Sequence, residues 1–214
     1  MLIRCRGSGE AGLAFTAAEC VQRVRFDGTG VSKALDYETP SELPIHGEMY
    51  LARLEVNAVV HAHPRATLIC ALAGLPLKPI FGSFDTRALG LAEAGVPVFP
   101  RSILIRDRAL GQELATAMKG KAVCVMRGHG ITTVGATVEE ATLRAIQLET
   151  LASITLEIAT AGGAPESMSE ADREYFRKLR ETQDSKQRAH GQDVYTWTWR
   201  HYVKLLEAQG TRHG

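Results

Sequence analysis

The sequence predicts an α/β protein, because short apolar strand candidates alternate along the chain with segments that carry helical signals. Residues 58–60, 95–99 and 122–126 are the clearest strand candidates, since they are short, apolar and rich in β-branched side chains. A helical segment is predicted after each of them. The 214 residues, 45% hydrophobic and 23% charged, are typical of a globular protein, and we predict one domain over 1–214.

Charge and composition exclude several classes of partner. The net charge is +1 and the two signs are interspersed, which argues against nucleic acid and against a membrane-binding surface. The longest apolar runs are far short of the ~20 residues that cross a bilayer, and the N-terminus MLIRCRGSGE is too short and too charged for a secretory signal. Four scattered cysteines are predicted to be buried free thiols. We therefore predict a cytoplasmic protein.

The N-terminal region predicts two short strands. Residues 2–5 are a strand candidate that runs into a glycine-rich turn at 7–9, and 20–26 form a second strand ended by a turn at 27–30. Between them, Thr16 and Glu19 have the spacing of a capping box, which predicts a short helix.

Residues 42–54 predict an amphipathic helix, because apolar residues recur there and just beyond at roughly helical spacing. These residues are Ile45, Met49, Leu51, Leu54 and Val56. Pro44 constrains the start of the helix, since proline is tolerated only in the first turn, and this favours Ser41 over Thr39 as the N-cap. Glu42 then lies at the mouth of the helix.

The rest of the chain predicts further helices between and after the strands. Pro64 allows a helix over 66–73, and another is predicted over 107–118. Thr137 and Glu140 belong to a second capping box, which opens a helix that continues to about 159. A last, polar helix begins at Ser169 and ends in a basic stretch near Gln187.

The C-terminal tail, from about 190 to 214, is aromatic. The alternation of Tyr195, Trp197 and Trp199 predicts an extended segment with one aromatic face. That face would pack on a neighbouring subunit. The alternative is a lid over an aromatic substrate.

Three histidines directly follow apolar strands. His61 and His63 are two residues apart, so on an extended chain they point to the same side, about 6–7 Å from each other. His129 follows the 122–126 strand, and the glycines on both sides of it leave room for another group. Three neutral imidazoles form a metal-ligand set that leaves a coordination position open for chemistry. The alternative is three unrelated histidines at strand ends.

Glu42 and His46 extend this candidate site. A β–α arrangement can bring the Glu42 carboxylate beside the cation, as a ligand, a general base or a general acid. The alternative is a first-turn glutamate that only interacts favourably with the helix dipole. His46, four residues later on the same helix face, either orients Glu42 or is a buried histidine with its own partner.

The stretch SELPIHGEMYLARLEVNAVVHAHP, followed further along the chain by MRGHG, resembles the class II aldolase/adducin family. The resemblance extends from about Leu2 to about Ala161. It implies that His61, His63 and His129 bind a divalent cation, with zinc first and manganese, cobalt or iron as alternatives. Glu42 falls on the position of the family's acid/base glutamate, which in some members also binds the resting metal. The implied fold is an α/β/α sandwich around a central mixed, largely antiparallel sheet. The implied assembly is a homo-oligomer, a tetramer, with active sites at subunit interfaces.

Particular fragments resemble one branch of this family. PIHGEMYLAR, GLPLKPIF, GVPVF and MRGHG are similar to the branch that decarboxylates hydroxylated aromatic or muconic acids, and LIRCRGSGEAGLAFT to members that act on 3,4-dihydroxyphthalate. The implied function is a metal-dependent carboxy-lyase of aromatic catabolism. The alternatives are an aldolase or dehydratase acting on a hydroxy-ketone or sugar phosphate, and a non-catalytic adducin-like interaction module. Sugar-phosphate members hold phosphate in a Gly-Asn-x-Ser loop, and we expect this chain to begin after that loop.

An aromatic substrate with a second carboxylate needs a cation that can bind it through two hydrogen bonds. Arg6, in the glycine-rich turn, is the first candidate, and Arg4 and Arg127 follow. The alternative for each is a solvated surface arginine.

Overall fold

The fold is described from a computed structural model, which describes residues 1–7, 9, 12–30, 36–118, 120–189 and 195–208. Ser8 of the predicted glycine-rich turn, and 190–194 and 209–214 of the predicted tail, lie outside the described residues. Within the described ranges, no helix combines the length and the apolar character needed to cross a membrane.

The described residues form six strands and seven α-helices, besides two short 3₁₀ turns in the N-terminal region. In chain order they are β1 (Leu2–Arg4), β2 (Val21–Arg23), α1 (Leu43–Ala52), β3 (Ala58–Ala62), α2 (Arg65–Ala73), α3 (Thr86–Glu93), β4 (Val98–Phe99), α4 (Arg108–Ala117), β5 (Val123–Met126), β6 (Gly130–Gly135), α5 (Val138–Thr160), α6 (Glu170–Ala189) and α7 (Thr196–Ala208).

The strands form two sheets. β1 and β2 pair antiparallel as a small sheet, and the main sheet has the order β3-β6-β5-β4. Its β3–β6 and β6–β5 pairs are antiparallel and its β4–β5 pair is parallel. The prediction of a mixed, largely antiparallel sheet is confirmed. The register places His61 opposite Thr132, so the end of β3 lies beside the beginning of β6.

Alternate side chains of β5 enter separate cores on the two faces of the main sheet. Cys124 and Met126 pack with residues of α1 and α4. Val123 and Val125 pack on the opposite face with residues of α5. Helices therefore cover both faces, and the predicted α/β/α sandwich is confirmed.

Two predicted helix starts are confirmed by their hydrogen bonds. Thr137 Oγ1 accepts the N–H of Glu140 at 3.1 Å, and the Glu140 carboxylate accepts the N–H of Ala136 at 2.6 Å. At the start of α6, Ser169 Oγ accepts the N–H of Asp172. The bonds to the N–H groups of Glu140 and Asp172 satisfy first-turn donors that have no partner within their own helix.

The start of α1 differs from the prediction, because Ser41 is not its N-cap. The helix begins at Leu43, Glu42 occupies the N-cap position, and no side chain caps the first turn. Pro44 lies in that turn and brings no N–H group, so fewer donors need a cap.

Two other local predictions are wrong. Thr16 does not cap a helix: its Oγ1 accepts a hydrogen bond from Arg4 Nε at 2.8 Å, and the following 3₁₀ turn has no side-chain cap. Leu51 and Leu54, predicted to belong to the apolar face of the helix, are 49% and 92% exposed. Leu51 lies within α1 but two positions after the buried Met49, on the opposite side of the helix, and Leu54 lies beyond the end of the helix at Ala52.

β6 and α3 were not predicted from the sequence. β6 contains the fully buried Thr132 and Thr133, and its signal is a run of four β-branched residues over 131–134. α3 begins at Asp85, whose side chain accepts the N–H groups of Arg87 and Ala88. An aspartate in this position is an N-cap signal that the sequence does contain.

The predicted extended aromatic segment is also wrong, because residues 196–208 form α7. Positions two apart lie on opposite sides of a helix. Tyr195, just before α7, is buried and faces the guanidinium of Arg87 at 5.8 Å, whereas Trp197 is 69% exposed. The aromatic residues therefore do not share one face.

Candidate active site

Four side chains converge at one edge of the main sheet. His61 lies in β3, His63 directly after it, His129 in the turn between β5 and β6, and Glu42 just before α1. Each offers one ligand atom, and the four atoms all lie within 4.8 Å of one another. Because β6 begins directly after His129 and pairs with β3, this pairing brings the three histidines together.

The imidazoles of His61 and His63 face each other across the site. Their Nε2 atoms are 3.0 Å apart, close to the ~3.3 Å between two nitrogens that bind one tetrahedral cation at ~2.0 Å. His61 Nδ1 lies 2.9 Å from the carbonyl oxygen of Ile131, so Nδ1 carries the proton and Nε2 presents its lone pair. Burial lowers the pKa of His61 to about 4, which favours the neutral form that binds metals.

His129 is the most buried of the three, with 7% of its side chain exposed. Both of its ring nitrogens are buried without a hydrogen-bond partner in the described part of the chain. Such atoms cost free energy unless something binds them. Its Nε2 lies 3.3 Å from Glu42 Oε2. Three imidazole nitrogens and a carboxylate oxygen suit a divalent cation, and the residues present therefore fit such an ion.

The Glu42 carboxylate faces the histidines and does not cap its own helix. Its Oε1 accepts the backbone N–H of Ile105 at 2.9 Å. Its Oε2 lies 3.3 Å from His129 Nε2 and 3.7 Å from His61 Nε2. Of the two interpretations open from the sequence, this geometry favours a carboxylate of the site over one that only interacts with the helix dipole.

The glycines on both sides of His129 allow the close approach of the strands. A Cβ atom at Gly130 would lie 2.3 Å from the carbonyl oxygen of Ala62 and 2.7 Å from Cδ2 of His63. Gly128 has a φ of 64°, in the left-handed region that favours glycine. The room beside His129 is thus occupied by β3 and by the His63 ring.

Gly130→Ala is expected to lower both stability and metal affinity. The added methyl group would collide with the β3 backbone and would displace the His63 ring. We expect a loss of about 1–3 kcal/mol in the free energy of unfolding and weaker zinc binding, measured by denaturant unfolding and by zinc titration. Gly9→Ala is the matched control, since a Cβ atom there would meet no atom of the described residues within 4 Å. Wild-type stability and zinc affinity in Gly130→Ala would contradict this role.

His46 is a half-buried histidine with its own backbone partner, which favours the second of its two interpretations. A hydrogen bond links it to the backbone of Val59, and burial lowers its pKa to about 4. The neutral ring is therefore the form that the fold accommodates.

The free energy of unfolding is expected to fall as the pH falls from about 6.5 to about 4. In this window unfolded His46 binds a proton and folded His46 does not, so acid favours the unfolded state. The effect of His46 is on the order of 2–3 kcal/mol. Urea unfolding across the window should show a shallower pH dependence for His46→Gln than for the wild type. At higher pH the difference between the two proteins should stay constant, and equal slopes within the window would contradict the prediction.

The three candidate substrate cations lie in different places. Arg127 is exposed in the turn that leads to His129. Arg4 lies in β1, and Arg6 pairs through its backbone with Glu38, on the chain that leads to α1. Arg127 is therefore the one joined by a short stretch of chain to a candidate metal ligand.

Two backbone groups of the site were missed from the sequence. The N–H of Ile105 binds Glu42, and the carbonyl of Ile131 binds His61. Every residue except proline offers both groups, so no pattern of side chains reveals which of them will face the site.

Residues 2–156 match the family profile described as Class II Aldolase and Adducin N-terminal domain. The chain belongs to this family. The resemblance inferred from the glutamate, the His-x-His pair and the third histidine is therefore confirmed.

Two similar members of the class II aldolase and adducin family bear the name 3,4-dihydroxyphthalate decarboxylase. The protein of Arthrobacter keyseri is 43% identical over 175 residues, which cover 80% of this chain and 71% of the relative. That of Terrabacter sp. (strain DBF63) is 47% identical over 174 residues, which cover 80% and 73%. The predicted similarity to the decarboxylase branch is confirmed.

A solved structure confirms the fold of the family. The aldolase II superfamily protein from Pseudomonas syringae has a TM-score of 0.70 at 22% identity, over 93% of this chain and 76% of that one. At this identity the likeness concerns the fold alone.

Proposed function

We propose that the chain is a metal-dependent decarboxylase of a hydroxylated aromatic acid, with 3,4-dihydroxyphthalate as the first candidate substrate. The observation that carries the proposal is the convergence of His61, His63, His129 and Glu42 within 4.8 Å. The names of two relatives that are 43% and 47% identical support the type of reaction and the substrate class.

The three imidazoles would hold a divalent cation, and the nitrogen-rich set favours zinc, with manganese, cobalt or iron as alternatives. When bound, this ion supplies a Lewis acid that stabilises negative charge on a phenolic oxygen of the substrate. His61 keeps its Nε2 available because its Nδ1 is bonded to Ile131. His63, the exposed member of the cluster, stands on the side from which a substrate can enter.

Glu42 would supply the proton that replaces the departing carboxyl group. The bond between the ring carbon and that group breaks, carbon dioxide leaves, and the electron pair of the bond passes into the hydroxylated ring; the ring carbon then takes the proton from Glu42. Oε1 accepts the N–H of Ile105, so Oε2, the oxygen that faces the histidines, is the atom that would deliver the proton. The Glu42 side chain is 15% exposed, so solvent can restore the proton.

A dicarboxylate substrate requires a further cationic contact. We propose Arg127 first, because its side chain is exposed and it lies two residues before His129. Arg6 and Arg4 are further candidates. Arginine suits this role because its guanidinium binds a carboxylate through two parallel hydrogen bonds.

We further propose that the chain forms a single domain and assembles into a homotetramer with active sites at subunit interfaces. We place this protein in the cytoplasm and in aromatic catabolism. Large apolar side chains, namely those of Leu13, Phe15, Phe84 and Trp197, are 68–77% exposed on the single chain. Exposed apolar surface of this kind supports burial against a second subunit. The four cysteines are free, which supports a reducing compartment.

Incubation of the purified protein with 3,4-dihydroxyphthalate tests the proposed reaction. We expect carbon dioxide and a dihydroxybenzoate to form in equal amounts with a divalent cation, and chelator-treated protein to be inactive. Zinc, manganese, cobalt and ferrous iron are compared. No release of carbon dioxide with any of them would overturn the proposal. Cleavage of a hydroxy-ketone phosphate would then favour the aldolase, and a protein that takes up no metal would favour the interaction module.

A further inference from the structure

α2 begins two residues after His63, yet no side chain at its own start caps it. Its N-cap residue is Pro64, whose ring has no atom that accepts a hydrogen bond. The first N–H groups of any helix lack partners within the helix. In α2 these groups must be satisfied from elsewhere in the fold.

Glu149 of α5 supplies these partners from a distant part of the chain. Its Oε1 accepts the N–H of Ala66 at 2.7 Å, and its Oε2 accepts the N–H of Thr67 at 2.9 Å and the hydroxyl of Thr67 at 2.6 Å. Thr67 is fully buried. A carboxylate at a helix N-terminus also interacts favourably with the helix dipole. Three charge-assisted hydrogen bonds therefore hold the first turn of α2 to α5.

His63 lies on the short segment between two fixed points. On one side β3 is paired with β6. On the other side Ala66 is bonded to Glu149. Only Pro64, whose φ is fixed by its ring, and Arg65 separate His63 from Ala66. The position of the His63 backbone therefore depends on the bonds that Glu149 makes.

His63 needs this support more than the other two histidines. It is the exposed member of the cluster. The carbonyl of Ile131 orients the His61 ring, and His129 is almost completely buried in its turn. A ring at the exposed edge has fewer neighbours to hold it, so its backbone has to be placed accurately.

We propose that Glu149 is a positioning residue for metal binding: through the first turn of α2 it holds His63 where its Nε2 meets the nitrogens of His61 and His129. The inference rests on the proposed function, in which these histidines bind a cation. In this role Glu149 contacts neither the cation nor the substrate, and it acts through the backbone.

Zinc affinity in Glu149 variants tests this role without any activity assay. Glu149→Ala removes all three bonds, and Glu149→Gln keeps the shape but turns an amide NH₂ towards a backbone donor. We expect the Kd for zinc, measured by competition with a chromophoric chelator, to rise about 10–100-fold in both. Glu149→Asp keeps the charge and both acceptor oxygens, and it should recover part of the affinity. It also provides a variant that folds if the alanine variant does not.

Asp85→Ala is the matched control. Asp85 caps α3 with two hydrogen bonds from backbone N–H groups, but the nearest candidate metal ligand in the sequence, His63, is 22 residues before Asp85. This variant should lower the melting temperature, as we expect of Glu149→Ala, and leave the zinc affinity unchanged.

The outcomes separate the inference from the proposed function. Wild-type zinc affinity in both Glu149→Ala and Glu149→Gln overturns the positioning role, and so does an equal loss of affinity in Asp85→Ala, which would reflect general destabilisation. A wild-type protein that binds no zinc, manganese, cobalt or iron overturns the proposed function first and the inference with it.

Discussion

Replacing His129 with alanine is expected to abolish metal binding and turnover together. The change removes the most buried imidazole of the cluster, whose two nitrogens have no hydrogen-bond partner within the described ranges. Two imidazoles, one of them exposed, would remain with Glu42. We expect kcat/KM to fall by more than about 100-fold, beyond the ~10–100-fold typical of residues that only support a ligand. Elemental analysis of the same preparation should show a matching loss of bound metal.

His201→Ala is the control for this variant. His201 is an exposed histidine of α7 whose ring contacts Tyr202, and it is not a member of the cluster. It should keep both the metal and the rate. A His129→Ala protein that is folded, holds metal and turns over at the wild-type rate would show that the chemistry takes place elsewhere.

Replacing Glu42 with glutamine is expected to lower kcat by about 10²–10⁴-fold, the range for loss of a general acid or base. The amide has nearly the same shape, and its oxygen can still accept the N–H of Ile105. It has no acidic proton to give to the ring carbon. Carbon dioxide release measures kcat and KM, and we expect KM to change little because the substrate would still bind at the cation.

Metal content must be measured on the same Glu42→Gln sample, since the carboxylate also lies near the ligand nitrogens. Retention of metal with loss of kcat supports the proton-donor role. Glu55→Gln is the matched control, because Glu55 is exposed and pairs with Arg53 at the surface. A kcat in Glu42→Gln close to that of Glu55→Gln would contradict the role proposed for Glu42.

The histidines of the candidate site could be predicted from the sequence because each lies in a short, recognisable motif. His61 and His63 keep a two-residue spacing at the end of a strand, and His129 stands between two glycines after another strand. The Glu42 position was open to two interpretations. The hydrogen bond from Ile105, 63 residues away, favours one of them, and no short segment of sequence contains that contact.

The errors have a common cause, which is that short patterns fit more than one structure. The alternation of Tyr195, Trp197 and Trp199 has the period of a strand, yet three positions are too few to exclude a helix. Tyr195 is buried beside Arg87 while Trp197 stays in solvent, so tertiary packing decides between the two. β6 was not predicted because a segment with two threonines was taken for a polar one. The threonines of β6 are nevertheless buried, because their hydroxyl groups form hydrogen bonds inside the protein. The Thr133 hydroxyl, for example, donates to the carbonyl oxygen of Ala141.

The order of residues along the chain establishes which donor atoms are available, namely three imidazoles that follow strands and one carboxylate that precedes a helix. How these atoms are oriented depends on strand pairing and on contacts between distant segments. The carbonyl of Ile131 sets the tautomer of His61, and Glu149 reaches across 83 residues to Ala66. Such contacts form only when the sheet and α5 are assembled. Backbone groups are alike at every position, and the sequence around a helical glutamate does not indicate which distant group it will bind.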